Sequence, residues 1–284
     1  MAEQLTISNK QIKVTLSDLG AEIISVVKDG KERIWNGDPA VWGCHAPILF
    51  PICGGLKDDK YVYEGKEYTL QKHGYVRFEA FEVESYSDDK VVFLHKSNDE
   101  TFSQFPFKYE LRVIYTVKGT ELKIEYNVKN VTHTEMYFSV GSHEGYSCPE
   151  GIEEYSIIFD KPETLDSHIV NGNLLEYNTR NVGKNTCELP LKYEYFTVDA
   201  LVFSSLNSKK LSLKNRKTGE VTVLEYDGHD FLLLWSKPCA NFICIEPWCG
   251  SPDFVDSDYN FKNKKAIIKL SGKEEIIKTH KIIF

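Results

Sequence analysis

An all-β fold, a large antiparallel sandwich or barrel, is what this sequence predicts, and three observations carry the prediction. Apolar and polar residues alternate with period two along most of the chain, and short turns separate the alternating runs. No capped window longer than ten residues shows apolar residues spaced by three and four, so convincing helices are few. Many strands joined by short turns leave edges that must be covered or closed, which a sandwich or barrel does. Proline and glycine punctuate the chain without forming a linker, and the composition does not break. The 284 residues are therefore expected to form a single domain, 1–284.

The elements follow in chain order. "YVYEGKEYTL" reads as a hairpin turning at Glu64-Gly65-Lys66, and "FEVESYSDDKVVFLHKS" as a second turning at Asp88-Asp89. "ELRVIYTVKGTELKIEYNVKN" is the clearest. Leu111, Val113, Tyr115 and Val117 alternate up to a turn at Lys118-Gly119-Thr120, and Leu122, Ile124, Tyr126 and Val128 alternate after it. A run from Met136 to Val140 is expected to stop at Gly141. "LSLKNRKTGEVTVLEYDG" turns at Lys217-Thr218-Gly219, Phe242 to Ile245 form a buried-type strand, and "EEIIKTHKIIF" closes the chain as a strand.

Composition narrows the function. A hydrophobic fraction of 42% with 13% aromatics is ample for a core, which excludes general disorder. A net charge of −8 without a basic cluster argues against nucleic acid as a partner. No run of 18 apolar residues exists and the N-terminus lacks a signal-peptide pattern, so no membrane partner is expected. Seven cysteines, an odd number without export signals, point to reduced thiols and a cytoplasmic location. Cys239, Cys244 and Cys249 fall at intervals of five, which matches no zinc-ribbon or CxxC spacing, so they read as structural.

Four polar positions stand out because each lies at a glycine or proline break or against an apolar strand. His143 sits in "VGSHEGYSCPE" with a glycine two residues to either side, and His73 precedes Gly74 in "QKHGYVRFEAF", ahead of Arg77. Taken singly, both histidines read as turn chemistry. Glu246, finishing an apolar strand before Pro247 and Trp248, should be desolvated and so suited to general acid or base work. Trp248 offers a flat apolar face of the kind that stacks on sugar rings. Asp199, beside Val198 and an apolar strand, needs hydrogen bonds if it is buried. Together these residues fit one polar cleft on a β scaffold. No metal spacing links them, and neither a phosphate loop nor a GxSxG elbow is present.

"FPICGGLKDDKYVYEGKEYTLQKHGYVR", "FPFKYEL", "VGSHEGYSCP", "DALVF" and "CIEPWCGSPD" occur in the order of the marks of the aldose 1-epimerase (galactose mutarotase-like) family, and look closest to its LacX-like branch. The resemblance spans roughly the whole chain. It implies a supersandwich-type β-sandwich with a sugar-binding cleft on one concave sheet, a small-molecule sugar as partner, no cofactor or metal, and a monomer or homodimer. It also implies roles: His143 as general acid, Glu246 as general base, and His73 and Asp199 as sugar contacts. The residue after the glycine of "PICG" is usually arginine in that branch, and here it is Gly55, so Lys57 or Arg77 is expected to supply the contact. Where proline usually follows the histidine stands Glu144, whose charge would favour protonated His143 if it lay close.

These residues permit ring opening. Carboxylate Glu246 takes the proton of the C1 hydroxyl, imidazolium His143 protonates the ring oxygen, rotation about C1–C2 follows, and closure inverts the anomer. On this reading Glu246 starts ionised and His143 starts charged. The alternatives are a hexose-6-phosphate 1-epimerase, using Arg77, Lys57 and Lys72 as cations, or a carbohydrate-binding protein without turnover. A glycoside hydrolase pairing Glu246 with Asp199 is the weakest.

Overall fold

The computed structural model describes residues 2–284. Alternation builds it as expected. In the hairpin of strands Tyr109–Lys118 and Glu121–Asn130, every second side chain is buried, and Val113 lies opposite Tyr126 and Tyr115 opposite Ile124. Gly119, at φ 61°, opens its two-residue turn, which suits the II′ geometry that follows strand twist. Glu64 and Gly65 both hold positive φ between Lys60–Tyr63 and Lys66–Thr69, the I′ counterpart. The turns around Asp88-Asp89 and Lys217–Gly219 also join paired strands. Among the described residues one α-helix, Asp99–Gln104, is six residues long and is fixed by a capping box between Asn98 and Thr101.

Two large antiparallel sheets carry the architecture. The nine-stranded one runs Thr186–Pro190, Tyr155–Glu163, Lys210–Asn215, Val221–Glu225, Glu275–Ile283, Glu121–Asn130, Tyr109–Lys118, Lys90–Lys96 and Glu82–Tyr86. The eight-stranded one runs Leu174–Asn181, Asp166–Asn171, Leu201–Phe203, Phe231–Trp235, Phe242–Cys249, Val140–Ser142 and Ile48–Leu49, with Glu144–Ser147 also paired to Phe242–Cys249. Val113 and Ile124 of the first share one core with Leu232, Leu234, Ile243 and Ile245 of the second. Leu233 and Trp248, on alternate positions of the same strands, belong to a different cluster on the opposite face. That outer face carries the cleft.

Two boundaries depart from the sequence reading. The run from Met136 does not end at Gly141: Val140–Ser142 and Glu144–Ser147 continue through it. Glu246 is not a strand end either, because Phe242–Cys249 runs three residues further and all eight of its residues are buried. Cystine plays no part, since all seven cysteines are free. Among the described residues no helix is long and apolar enough to cross a membrane.

Candidate active site

Strand register makes the site. Gly141 pairs with Trp248 and Glu144 with Ile245, and the same register puts His143 opposite Glu246. Pro247, which has no N–H to donate, lies in the gap between the two regular stretches, where the ladder lapses at His143. His143 Nε2 stands 3.4 Å from Glu246 Oε2.

The glycines that frame His143 share its face of the strand, and tryptophans take the space they leave. A Cβ on Gly141 would sit 2.7 Å from Trp248 Cδ1, and one on Gly145 would sit 2.9 Å from Trp42 Cζ3. Trp42 stacks on the His143 ring at 5.1 Å and 30°, while Trp235 and His73 meet it edge-on at 5.8 and 5.5 Å. Trp35 donates its indole N–H to the Trp42 carbonyl at 2.8 Å and pins that wall. Bulk is excluded beside His143 so that aromatic rings can close around it.

The cleft in front of the pair holds about 350 Å³ and is lined by His73, Lys72, Arg77 and Asp199 as well as the pair and the tryptophans. That is the small end of ordinary small-molecule sites. His73 is buried at φ 71°, and its Nδ1 accepts the Gly54 N–H at 3.2 Å, which leaves Nε2 to carry the ring proton. Asp199 accepts the Ala200 N–H at 2.7 Å, and its other oxygen lies 3.9 Å from Lys72 Nζ. Arg77 donates to the Lys72 carbonyl at 3.3 Å, while its Nε is buried without a partner.

Burial governs the protons. It pushes the Glu246 carboxyl well above the carboxylate range, with Lys72 opposing and Asp199 adding to the rise. It drives the His143 imidazole down to about 3, and the charges of Lys72 and Arg77 add to the fall. His73 is likewise held well below an ordinary histidine by burial, then by His143. Both directions favour the neutral pair, imidazole and carboxylic acid, over the ion pair. This reverses the ionised Glu246 and charged His143 expected from the sequence. Glu144 does not lie beside the His143 ring, because strand alternation turns it to the inner face, where it accepts from His280, and its charge adds instead to the rise of the Glu246 carboxyl.

The geometry sets an imidazole and a carboxyl side by side in an aromatic-walled cleft. A model of the aldose 1-epimerase family matches residues 3–280. The chain belongs to the aldose 1-epimerase family. It is 32% identical over 281 residues to the plasmid-borne protein LacX of Lactococcus lactis subsp. lactis, covering 94% of each chain. Among solved structures, a galactose mutarotase related enzyme from Lactobacillus acidophilus superposes with a TM-score of 0.94 at 33% identity, over 99% of this chain and 97% of that one. A galactose mutarotase-like protein from Lactobacillus casei ATCC 334 gives 0.94 at 27% identity, over 99% of both. The fold is thus the galactose mutarotase-like sandwich.

Of the residues singled out from the sequence, His73, Arg77, His143, Asp199, Glu246 and Trp248 meet in this one cleft of the family fold. Lys57 does not. Its N–H bonds Asp253, and its ammonium reaches the Ser257 carbonyl and the Tyr259 ring, away from the cleft. Gly55 leaves no vacancy where an arginine would stand: a Cβ there would sit 2.5 Å from Asn173 Cβ, at the tip of the 166–181 hairpin. Trp248 is 2% exposed, with its N–H given to the Ser142 carbonyl at 3.0 Å, so it floors the cleft, and the half-buried Trp42 and Trp235 offer the open aromatic surface. Sequence reasoning passed over Trp42, Trp235 and Leu233. The available signal was the tryptophan inventory, since all four tryptophans converge here.

Proposed function

We propose that the protein is an aldose 1-epimerase that interconverts the α and β anomers of a free hexose such as galactose or glucose. The observation that carries this is the His143–Glu246 pair, an imidazole and a carboxyl 3.4 Å apart and facing the cleft. Groups so close address two oxygens on one carbon, as the C1 hydroxyl and ring oxygen of a cyclic aldose are. A glycosidase instead sets two carboxyls roughly 5–9.5 Å apart across the scissile bond.

The proton that the free pair holds on Glu246 must first pass to the imidazole. Net charge is unchanged by that step, with Lys72 favouring the carboxylate and opposing the imidazolium. Glu246 then accepts the C1 hydroxyl proton while His143 Nε2–H protonates the ring oxygen, and the C1–O5 bond breaks. After rotation about C1–C2, ring closure on the other carbonyl face returns both protons. The Nε2–H of His73, with Asp199, Lys72 and Arg77, holds hydroxyls, and Trp42 and Trp235 cover the apolar face of the ring.

Lys72 and Arg77 on one wall favour a second reading, a hexose 6-phosphate as substrate. Polarimetry of freshly dissolved α-D-glucose, α-D-galactose and glucose 6-phosphate decides between them. The expected result is faster mutarotation of a free hexose, lost in His143→Asn and Glu246→Gln. Preference for the phosphate transfers the substrate assignment. Acceleration of none, with sugar bound, makes the protein a carbohydrate binder.

A further inference from the structure

The register that sets His143 opposite Glu246 brings a third group to the same spot. Cys244 lies two residues before Glu246, on the same face of the Phe242–Cys249 strand. A ring nitrogen of His143, the Cys244 sulfur and a Glu246 carboxylate oxygen all lie within 4.8 Å of one another. Nothing in the mechanism uses the thiol. His143 Nδ1 and Glu246 Oε2 are buried and have no hydrogen-bond partner, and Glu246 is 1% exposed. The cysteine intervals, read along the chain, hide this grouping because one ligand comes from a neighbouring strand.

We propose that His143, Cys244 and Glu246 form a binding site for a thiophilic divalent cation of the zinc class, and that its occupation shuts down the acid–base pair. Imidazole, thiolate and carboxylate are the donors that zinc and cobalt(II) take, at about 2.0–2.3 Å each. Donors at those lengths around a tetrahedron stand about 3.3–3.7 Å apart, so the three groups need to close by about 1 Å. Harder ions such as magnesium prefer oxygen shells and are poor fits. A fourth position faces the cleft, through His143 and Glu246, where water or a sugar hydroxyl completes the shell. Binding releases the thiol proton and any proton held by the pair, so capture weakens as pH falls. An ion held there takes the Glu246 carboxylate that accepts the C1 hydroxyl proton, so metal and turnover exclude each other.

Cobalt(II) titration of EDTA-treated protein is the test, because a thiolate ligand gives a near-ultraviolet charge-transfer band and needs no turnover to be seen. We expect one equivalent bound with that band, restored to baseline by EDTA. Cys244→Ser should remove the band and weaken binding at least about 10-fold, since even groups behind a metal's ligands are worth that. Glu246→Gln, which leaves the thiol in place, should weaken binding to a similar degree and guards against a misfolded Cys244 variant. Cys187→Ser and Cys239→Ser, at the exposed thiols, should keep the band. A band that survives Cys244→Ser, binding without a band, or no stoichiometric binding overturns the site. If the protein proves to be an epimerase, mutarotation should fall in proportion to cobalt bound, and full activity at full occupancy overturns the inhibition. Failure of the epimerase reading leaves the spectroscopic result standing.

Discussion

His143 and Glu144 are neighbours in sequence, each faces a group of opposite type, and the two pairs lie on opposite faces of one sheet. On the inner face Glu144 accepts from His280 Nε2 at 2.8 Å, with both side chains essentially inaccessible. On the outer face His143 and Glu246 stand 3.4 Å apart without a hydrogen bond, and the histidine side chain keeps 12% of its surface open to the cleft. Residue type and burial alone do not tell these pairs apart. What separates them is closure. The inner pair is bonded to itself and ties Glu144–Ser147 of one sheet to Glu275–Ile283 of the other. The outer pair is held near, unbonded, with a cavity in front, and so is available to a third molecule.

Activity should separate the two pairs most strongly. Glu246→Gln or His143→Asn should each lower kcat/KM for mutarotation by about 10²–10⁴-fold. Denaturant unfolding at neutral pH should show no loss of stability in Glu246→Gln. The raised carboxyl costs the fold nothing at acid pH and progressively more as pH rises above the unfolded value, a cost that the amide avoids. The inner pair should answer the other way. Glu144→Ala leaves His280 buried without its hydrogen-bond partner and should cost about 1–3 kcal/mol of stability, with the kcat/KM of the folded fraction close to wild type. A large catalytic loss in Glu144→Ala, with stability intact, would erase the distinction.

The two pairs should also differ in their response to pH. With ordinary values, a free carboxylate and an imidazolium coexist only between about 4.3 and 6.5, so the rate would fall about tenfold per unit above that. Burial carries the two groups past each other, His143 down to about 3 and Glu246 well above the carboxylate range, and one proton stays on the pair between those limits, so kcat/KM should not fall tenfold per unit above about 6.5. Stability has a different window. His143 and His229 are each held down to about 3, chiefly by burial. The unfolded chain takes up their protons near 6.5 and the native state does not, so the stability present above about 6.5 is lost as pH falls toward 3. Thermal melts across that window check the slope, which should be shallower in His229→Gln.

Much of the fold was legible because a period of two survives tertiary context. The Tyr109–Asn130 hairpin needed only its alternation and Gly119. Boundaries failed at Gly141 and Pro247, where breaker residues sit inside strands: the glycine yields space to Trp248, and the proline lies where the neighbouring ladder lapses. The site residues were legible as types, through motifs spread over the chain. Their pairing was not, since it depends on the register between strands a hundred residues apart. The protonation states were misjudged for the same reason, because desolvation is a property of the assembled cleft rather than of neighbours in sequence.

The smallest expected effect separates two lysines. Lys57 and Lys72 both lie near the motifs in sequence, and both were candidates for holding a substrate oxygen. Only Lys72 faces the cleft, 3.9 Å from Asp199, while Lys57 is occupied by the Ser257 carbonyl and the Tyr259 ring. Lys72→Ala should lower kcat/KM about tenfold, the worth of one charge-assisted contact. Lys57→Ala should leave it unchanged, whichever sugar is used. Initial mutarotation rates over a range of sugar concentrations separate the two cases. A loss in Lys57→Ala equal to that in Lys72→Ala would mean that the loop carrying Tyr259 folds over the bound sugar, and that the cleft as described is only its open form.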